Sequence, residues 1–426
     1  MNSPVRHTSM SYSRPYRPRF IAAVNAAGRA AASFGFAGRI PRQELLEEQA
    51  ARKTGLSDFG DASFRERMRL LVESIEGEAR LNTVGRFIAR QNLERFLAVR
   101  LRIEDALKRH PEILAMEMED PVFIVGLQRT GTTMLQRLLA ADTDRFRFLA
   151  SWEAINPAPL AGTMKPGGRD PRVRMAVVAG KALRYMAPDF FAIHPVEPLE
   201  PEEDCLLFDY DFWSTVPEAT MRVPSFSRWL ETQDHTEAYR YYRKILQYLY
   251  WQNPTGRWIL KTPQHMEHID ELLTVFPNAK IIQTHRDPSV VVASFCSMVS
   301  HAYGVFSDMV DPVEIGHHWG GKAQKMVSDC MSARNRFSAD RFLDIQYADL
   351  VREPGAALRR VYEFLGVSFG PADERRIGRW TDDNPQHKHG RHVYRLEDFG
   401  LDPQAIDGGF AVYRERFDIR TELRRG

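Results

Sequence analysis

The stretch PVFIVGLQRTGTTMLQRLLA, residues 121–140, constrains the fold of this chain more than any other. A short continuous apolar run stops at Gly126, and a helical pattern opens at Thr132 after a loop holding a second glycine, Gly131. An unbroken apolar run suits a strand buried on both faces, the condition inside a parallel sheet. Three similar runs follow, RWILK at 257–261, AKIIQTH at 279–285 and RFLDIQY at 341–347, with helical patterns between them. Such alternation predicts an α/β fold, a parallel sheet flanked by helices. Ligands of these sheets sit beyond the carboxyl ends of the strands, where the strand order reverses. The motifs described below all fall at such ends.

Upstream the texture differs. Residues 42–118 carry both charges, with apolar positions at helical spacing, as in FRERMRLLVESIEGEAR and VGRFIARQNLERFLAVRLRIEDAL. They read as a helical N-terminal extension packed on a domain spanning 119–426. The first 19 residues hold Arg6, Arg14, Arg17 and Arg19 and no acid. A transit peptide has this composition, and so does a disordered basic tail; residues 1–41 are read as a loose tail. Across the chain 58 basic residues meet 56 acidic ones, a balance that argues against a nucleic-acid partner or an acidic membrane surface. The weakly polar stretch at 20–38 is interrupted by Asn25 and Arg29 and falls short of a membrane span, which needs about 20 apolar residues. Three cysteines without metal or CxxC spacing point to a reducing compartment, and the chain is expected to be soluble and cytoplasmic.

Strand, glycine loop and helix amino-terminus together form an anion cradle, because backbone N–H groups and the helix dipole face the same point. Thr132 and Thr133 add hydroxyl donors there, and Arg129 a fixed positive fork. The spacing matches the nucleotide-triphosphate loop GxxxxGK[ST] except that Thr132 stands in place of the lysine. That lysine handles the terminal phosphates, so ATP or GTP hydrolysis is disfavoured. A donor with one 5′-phosphate bearing a sulfuryl group suits the loop better. A second anion site is read at THRDPSVVVAS, where Arg286 ends a strand and Ser294 follows eight residues later inside a helix started by Asp287 and Pro288.

At this point the chain resembles the sulfotransferases that use 3′-phosphoadenosine 5′-phosphosulfate, whose fold is a P-loop-type α/β sheet. GLQRTGTTM looks like their 5′-phosphosulfate loop and HRDPSVVVAS like their 3′-phosphate segment. LKTPQH, FPNAKIIQTHRDP and DIQYADLVREPGAALRRVYEFLGV follow the family's order. The likeness covers about residues 120–370 and is nearest to the bacterial branch that also resembles tyrosylprotein sulfotransferases. It implies that Arg129, Thr130, Gly131, Thr132 and Thr133 hold the 5′-phosphosulfate, that Arg286 and Ser294 hold the 3′-phosphate, and that Tyr347 lies near the nucleotide. In the late segment HKHGRHVYRLEDFGL, Lys388, Arg391 and Arg395 beside Tyr394 are secondary candidates for the 3′-phosphate.

Sulfuryl transfer needs a base for the acceptor, positive charge on the transferring group and help for the leaving phosphate oxygen. Lys261 ends the RWILK strand just before Thr262 and Pro263, and matches the family lysine that stabilises the departing phosphate. Two residues compete as base. Glu153 lies 24 residues after Arg129, where tyrosylprotein sulfotransferases carry a catalytic glutamate. The small-molecule branch places a histidine two residues after the lysine, a position held here by Pro263, with His265 the nearest substitute. The acid run Glu202-Glu203-Asp204 is read as the dipole-favoured first turn of a helix begun by Pro201. Neither it nor the adjacent His317 and His318 is assigned to a metal. The rival readings are a P-loop kinase and a catalytically silent nucleotide-binding scaffold. The acceptor and the oligomeric state have no signature in the sequence.

Overall fold

The computed structural model describes residues 12–13, 16–35, 38–160, 170–384 and 394–422. Five strands form one parallel sheet: β1 (Val122–Val125), β2 (Phe146–Phe148), β3 (Arg257–Lys261), β4 (Lys280–His285) and β5 (Phe342–Gln346). They lie in the order β2-β3-β1-β4-β5. The four apolar runs of the sequence are β1, β3, β4 and β5. The edge strand β2 has no such signal, because its three residues are too few and Arg147 interrupts them.

Side chains alternate across a sheet, so each strand feeds two cores. Phe123, Val125, Leu260 and Ile281 belong to the core on one face, and Val122, Ile124, Ile259 and Ile282 to the core on the other. All eight are fully buried, which is why the runs lack polar alternation. Helices cover both faces, as the α/β class requires.

The first core continues into the helices that precede the sheet. These are α1 (Arg19–Ser33), α2 (Gln43–Thr54), α3 (Phe64–Glu78) and α4 (Thr83–Arg109). Leu46, Phe64, Met68 and Leu97 join the same cluster as Phe123. Asn82 caps α4 by accepting from the Gly85 amide at 2.8 Å. Arg67 of α3 and Arg100 of α4 converge on Asp211 at 2.7 and 2.8 Å, all three buried. Removing one partner of such a pair strands a buried charge at a cost of about 3–5 kcal/mol, so Asp211 fastens the extension to the sheet domain. α1 falls inside the stretch read from the sequence as a loose tail. It is helical, and its buried Asn25 accepts from the Val84 amide at 3.0 Å.

The Pro288–Phe306 helix is long and apolar enough to cross a membrane, and most of it is buried inside the protein. Val291, Val292 and Val299 are part of the first core.

Candidate active site

β1 lies between β3 and β4, and from it the chain departs in both directions across the sheet. Ile124 is paired with Lys261 and Val125 with Gln283. The loop after β1, Lys261 at the end of β3 and Arg286 just beyond β4 therefore emerge at the same edge, the switch point of the sheet. Tyr347 follows β5 at that edge.

The loop takes positive φ at Gly126 (149°), Arg129 (70°) and Gly131 (91°). A Cβ on Gly126 would sit 2.4 Å from Thr284 Oγ1, and one on Gly131 2.8 Å from Tyr347 Cδ2. Both positions thus require glycine on two counts. Arg129 adopts the left-handed conformation without being glycine, at a cost of about 1–2 kcal/mol. Its carbonyl accepts from Arg286 Nη1 at 3.1 Å and its own Nη1 donates to Ile193 O at 3.2 Å, contacts that hold the strained turn. Burial holds its guanidinium pKa below the ordinary arginine value. Gly131 then starts α5 (Thr132–Ala140), whose free amide end completes an anion cradle.

Thr130 has a different place from the one the resemblance implies for a donor-binding hydroxyl. Its side chain is fully buried, donates to Leu127 O at 2.6 Å and meets Thr284 Oγ1 at 2.6 Å. It pins the loop to β4. Thr132 and Thr133 instead line a cavity together with Arg129.

Arg286 is stacked on the Tyr347 ring, 4.0 Å from its centroid. Its Nε and Nη2 donate to the two carboxylate oxygens of Glu422 at 2.7 and 3.0 Å. Asp287 starts the following helix as the sequence suggests, accepting from the Ser289 amide at 3.0 Å. Ser294, two turns along, is buried and hydrogen-bonded to Tyr394, which also neighbours Arg129. Arg395 is exposed, and Lys388 and Arg391 lie outside the described residues. Glu422 presents to Arg286 the bidentate geometry that a phosphate would use. We expect Glu422→Gln to tighten 3′-phosphoadenosine 5′-phosphate about two- to fivefold by calorimetry, the worth of a partly exposed ion pair. An unchanged or weaker affinity would mean that the two anions do not compete.

The cavity has a volume of about 140 Å³. Arg129, Thr132, Thr133 and Glu203 give it a polar side, and Phe190, Val216, Phe295, Met298, Trp319 and Met326 an apolar one. Glu203 is the residue that the sequence reading missed. Pro201 does not begin a helix: it bridges to Ala150, and a 3₁₀ turn starts only at Asp204. Glu203 stands just before that turn and accepts from Lys261 Nζ at 2.7 Å, while Asp204 turns into the core. The signal available was that a buried strand ending in lysine needs a carboxylate partner.

Neither base candidate from the sequence lines this cavity. Glu153 is buried, with Oε1 bonded to Arg147 at 3.0 Å and Oε2 to the Ala150 amide at 3.1 Å. Burial raises its pKa, and Arg147, stacked 4.3 Å over Trp258, opposes that shift. Both carboxylate oxygens serve a helix cap and an ion pair. His265 is also fully buried, its Nε2 2.8 Å from Asp204 Oδ2 and its Nδ1 2.7 Å from the Tyr239 hydroxyl. Its ring packs edge-on to Phe123 at 5.0 Å. A four-residue step from Lys261 puts the histidine under the sheet rather than over its edge.

Among the described residues no group of three or more His, Cys, Asp or Glu is placed to hold a metal ion. The sulfotransferase family profile matches residues 121–371. The omega-hydroxy-beta-dihydromenaquinone-9 sulfotransferases Stf3 of Mycobacterium bovis and Mycobacterium tuberculosis are each 27% identical over 296 residues, covering 66% of this chain and 71% of theirs. The crystal structure of sulfotransferase STF9 from Mycobacterium avium superimposes with a TM-score of 0.80 at 28% identity, covering 90% of this chain and 98% of that one. STF1 from Mycobacterium tuberculosis gives 0.76 at 28% identity, over 88% and 99%. The match covers the anion loop, Lys261, Arg286 and Tyr347 in one continuous stretch, and the chain belongs to the sulfotransferase family.

Proposed function

We propose that this sulfotransferase takes its sulfuryl group from 3′-phosphoadenosine 5′-phosphosulfate and delivers it to a hydroxyl or amine held in the cavity beside Glu203. The observation that carries this reading is the meeting, at one sheet edge, of a glycine loop without the triphosphate lysine and a Lys261–Glu203 pair. The donor supplies the sulfuryl group and a phosphate leaving oxygen. The loop amides, Arg129, Thr132 and Thr133 hold its 5′ end, and the two close-packed glycines leave the backbone open to an anion. Thr130 contributes its backbone and Gly131 its conformation. Arg286 and Ser294 hold the 3′-phosphate, with Tyr347 and Tyr394 beside them.

Lys261 places an ammonium where negative charge grows on the leaving oxygen. Glu203 is the base: its carboxylate lines the cavity and can receive the acceptor's proton, and Lys261 keeps it oriented. Glu153 and His265 then act as buried supports for β2 and for the Asp204 turn. The apolar wall suits an acceptor with an apolar body, in keeping with the isoprenoid quinone in the name of the Stf3 relatives. Three free, buried cysteines accord with a reducing, cytoplasmic setting.

Calorimetry tests the reading. The protein is expected to bind 3′-phosphoadenosine 5′-phosphate with or without Mg²⁺, and ATP at least tenfold more weakly. Tighter Mg²⁺-dependent binding of ATP would favour the kinase. Binding of the bisphosphate without transfer to any acceptor in a metabolite extract would favour the silent scaffold. Turnover is expected to persist in EDTA, because charge on the phosphate oxygens is met by Arg129, Arg286 and Lys261. Loss of activity that Mg²⁺ or Zn²⁺ restores would refute metal independence.

A further inference from the structure

The Pro171–Met186 helix buries only Arg172 and Ala176 of its 16 residues. Arg172 ties its first turn down, pairing with Asp170 at 2.6 Å and donating to the Pro157 carbonyl at 2.9 Å. Beyond that turn the helix carries an apolar face in solvent. Met175 is 42% exposed, Val178 60% and Tyr185 54%, and Ala182 is exposed between the last two. Positions 175, 178, 182 and 185 share one face at helical spacing. A solvated helix turns its polar side outward and draws most of its stability from burying the apolar one. This helix leaves the apolar side uncovered.

Cations run beside that face. Arg174, Lys181 and Arg184 are exposed, and the sequence from Pro171 to Met186 contains no acid. Among the described residues the one ion pair of this helix is that of Arg172, and Arg174, Lys181 and Arg184 have no carboxylate partner. The helices α3 and α4 show the ordinary solvated pattern instead, with exposed arginines paired along the helix. Arg69 meets Glu73 at 2.8 Å, and Arg109 meets Asp105 at 2.7 Å. An apolar stripe flanked by unpaired cations is the pattern of a helix that lies in the headgroup layer of an anionic membrane. The whole-chain balance of charge averages over this face. At physiological salt exposed charges act over about 8 Å, so the local excess decides.

We propose that the Pro171–Met186 helix docks the protein on an anionic lipid bilayer. Met175, Val178, Ala182 and Tyr185 enter the boundary between headgroups and acyl chains, and Arg174, Lys181 and Arg184 meet the lipid phosphates. With two buried residues the helix stands proud of the surface, and its apolar stripe is convex. A bilayer receives a convex stripe, whereas a protein partner would need a matching groove. The chain turns at Ala187 into the Pro188–Ile193 helix, where Phe190 lines the cavity and the Ile193 carbonyl accepts from Arg129. The docked face therefore adjoins the donor loop and the cavity, and an acceptor with an apolar body enters from the bilayer. That last step rests on the proposed function; the docking does not.

Flotation with vesicles tests the docking, using phosphatidylcholine alone and an equal mixture of phosphatidylcholine and phosphatidylglycerol. The protein is expected to bind the mixed vesicles at least about tenfold more tightly, and to lose that preference in high salt. Replacing all three cations, Arg174→Gln, Lys181→Gln and Arg184→Gln, is expected to weaken binding about ten- to hundredfold. Met175→Ser with Val178→Ser changes no charge and is expected to weaken it about three- to tenfold, through lost apolar contact. Val412→Ser, at an exposed valine of the Ala411–Arg416 helix, is expected to leave binding unchanged. No binding to the mixed vesicles, equal binding to both kinds, or parent-like binding by the glutamine or the serine variant would each overturn the docking. So would an equal loss in Val412→Ser. An acidic protein partner in place of lipid gives the first of these outcomes. Calorimetry with 3′-phosphoadenosine 5′-phosphate keeps the two readings apart. Unchanged affinity in the variants shows that their fold and donor site are intact. A parent that does not bind the bisphosphate fails the proposed function and leaves the vesicle result standing.

Discussion

Glu203→Gln is expected to lower turnover about 10²–10⁴-fold while binding 3′-phosphoadenosine 5′-phosphate as tightly as the parent, because a base acts only as the acceptor's new bond forms. Glutamine keeps the size of the side chain and can still accept from Lys261 Nζ, now 2.7 Å from Glu203 Oε1, but it has no basicity. Glu153→Gln is the comparison. Its carboxylate is spent on Arg147 and the Ala150 amide and does not line the cavity, so turnover should stay within a few-fold of the parent. Its effect should appear in thermal stability instead, since the amide weakens a buried ion pair. The acidity of the acceptor separates proton removal from positioning. A phenol already largely ionised needs little help, so the Glu203→Gln defect should shrink as acceptor acidity rises. A large loss in Glu153→Gln with little change in Glu203→Gln would reverse the assignment.

The difference between these two glutamates marks how far the sequence can be read. β1, β3, β4 and β5 were legible because burial on both faces leaves continuous apolar runs such as FIV and RWILK. The loop and Arg286 were legible because they follow those runs directly, and a parallel sheet brings strand ends to one edge. Glu203 follows no strand. It reaches the site through a 3₁₀ turn that begins after a single bridge between Pro201 and Ala150, and a proline before three acids reads more naturally as a helix start. β2 was hidden for a related reason: Arg147 is tolerated in a buried edge strand only because Glu153 and Trp258 receive it, partners 6 and 111 residues away. Local pattern reports the environment of a run of residues. It does not report which distant side chain neutralises a single charge.

Arg286→Ala is expected to weaken 3′-phosphoadenosine 5′-phosphate about ten- to hundredfold, from the loss of charge-assisted hydrogen bonds worth about 1.5–3 kcal/mol. Ser294→Ala should cost less, about two- to tenfold, since one hydroxyl bond is lost and Tyr394 is its remaining partner. The substitution also removes the Glu422 ion pair and the stack on Tyr347, so a loss of affinity alone does not identify the phosphate that Arg286 holds. Adenosine 5′-phosphosulfate, which lacks the 3′-phosphate, resolves this. Its binding should change little in Arg286→Ala, whereas an equal loss for both ligands would assign Arg286 to the loop through its contact with the Arg129 carbonyl at 3.1 Å. The double variant with Glu422→Gln closes the cycle. If the carboxylate and the 3′-phosphate compete for one guanidinium, the gain from Glu422→Gln must vanish once Arg286 is alanine. A gain that persists would mean that Glu422 repels the nucleotide directly, through space, and that its bond to Arg286 is incidental to donor binding.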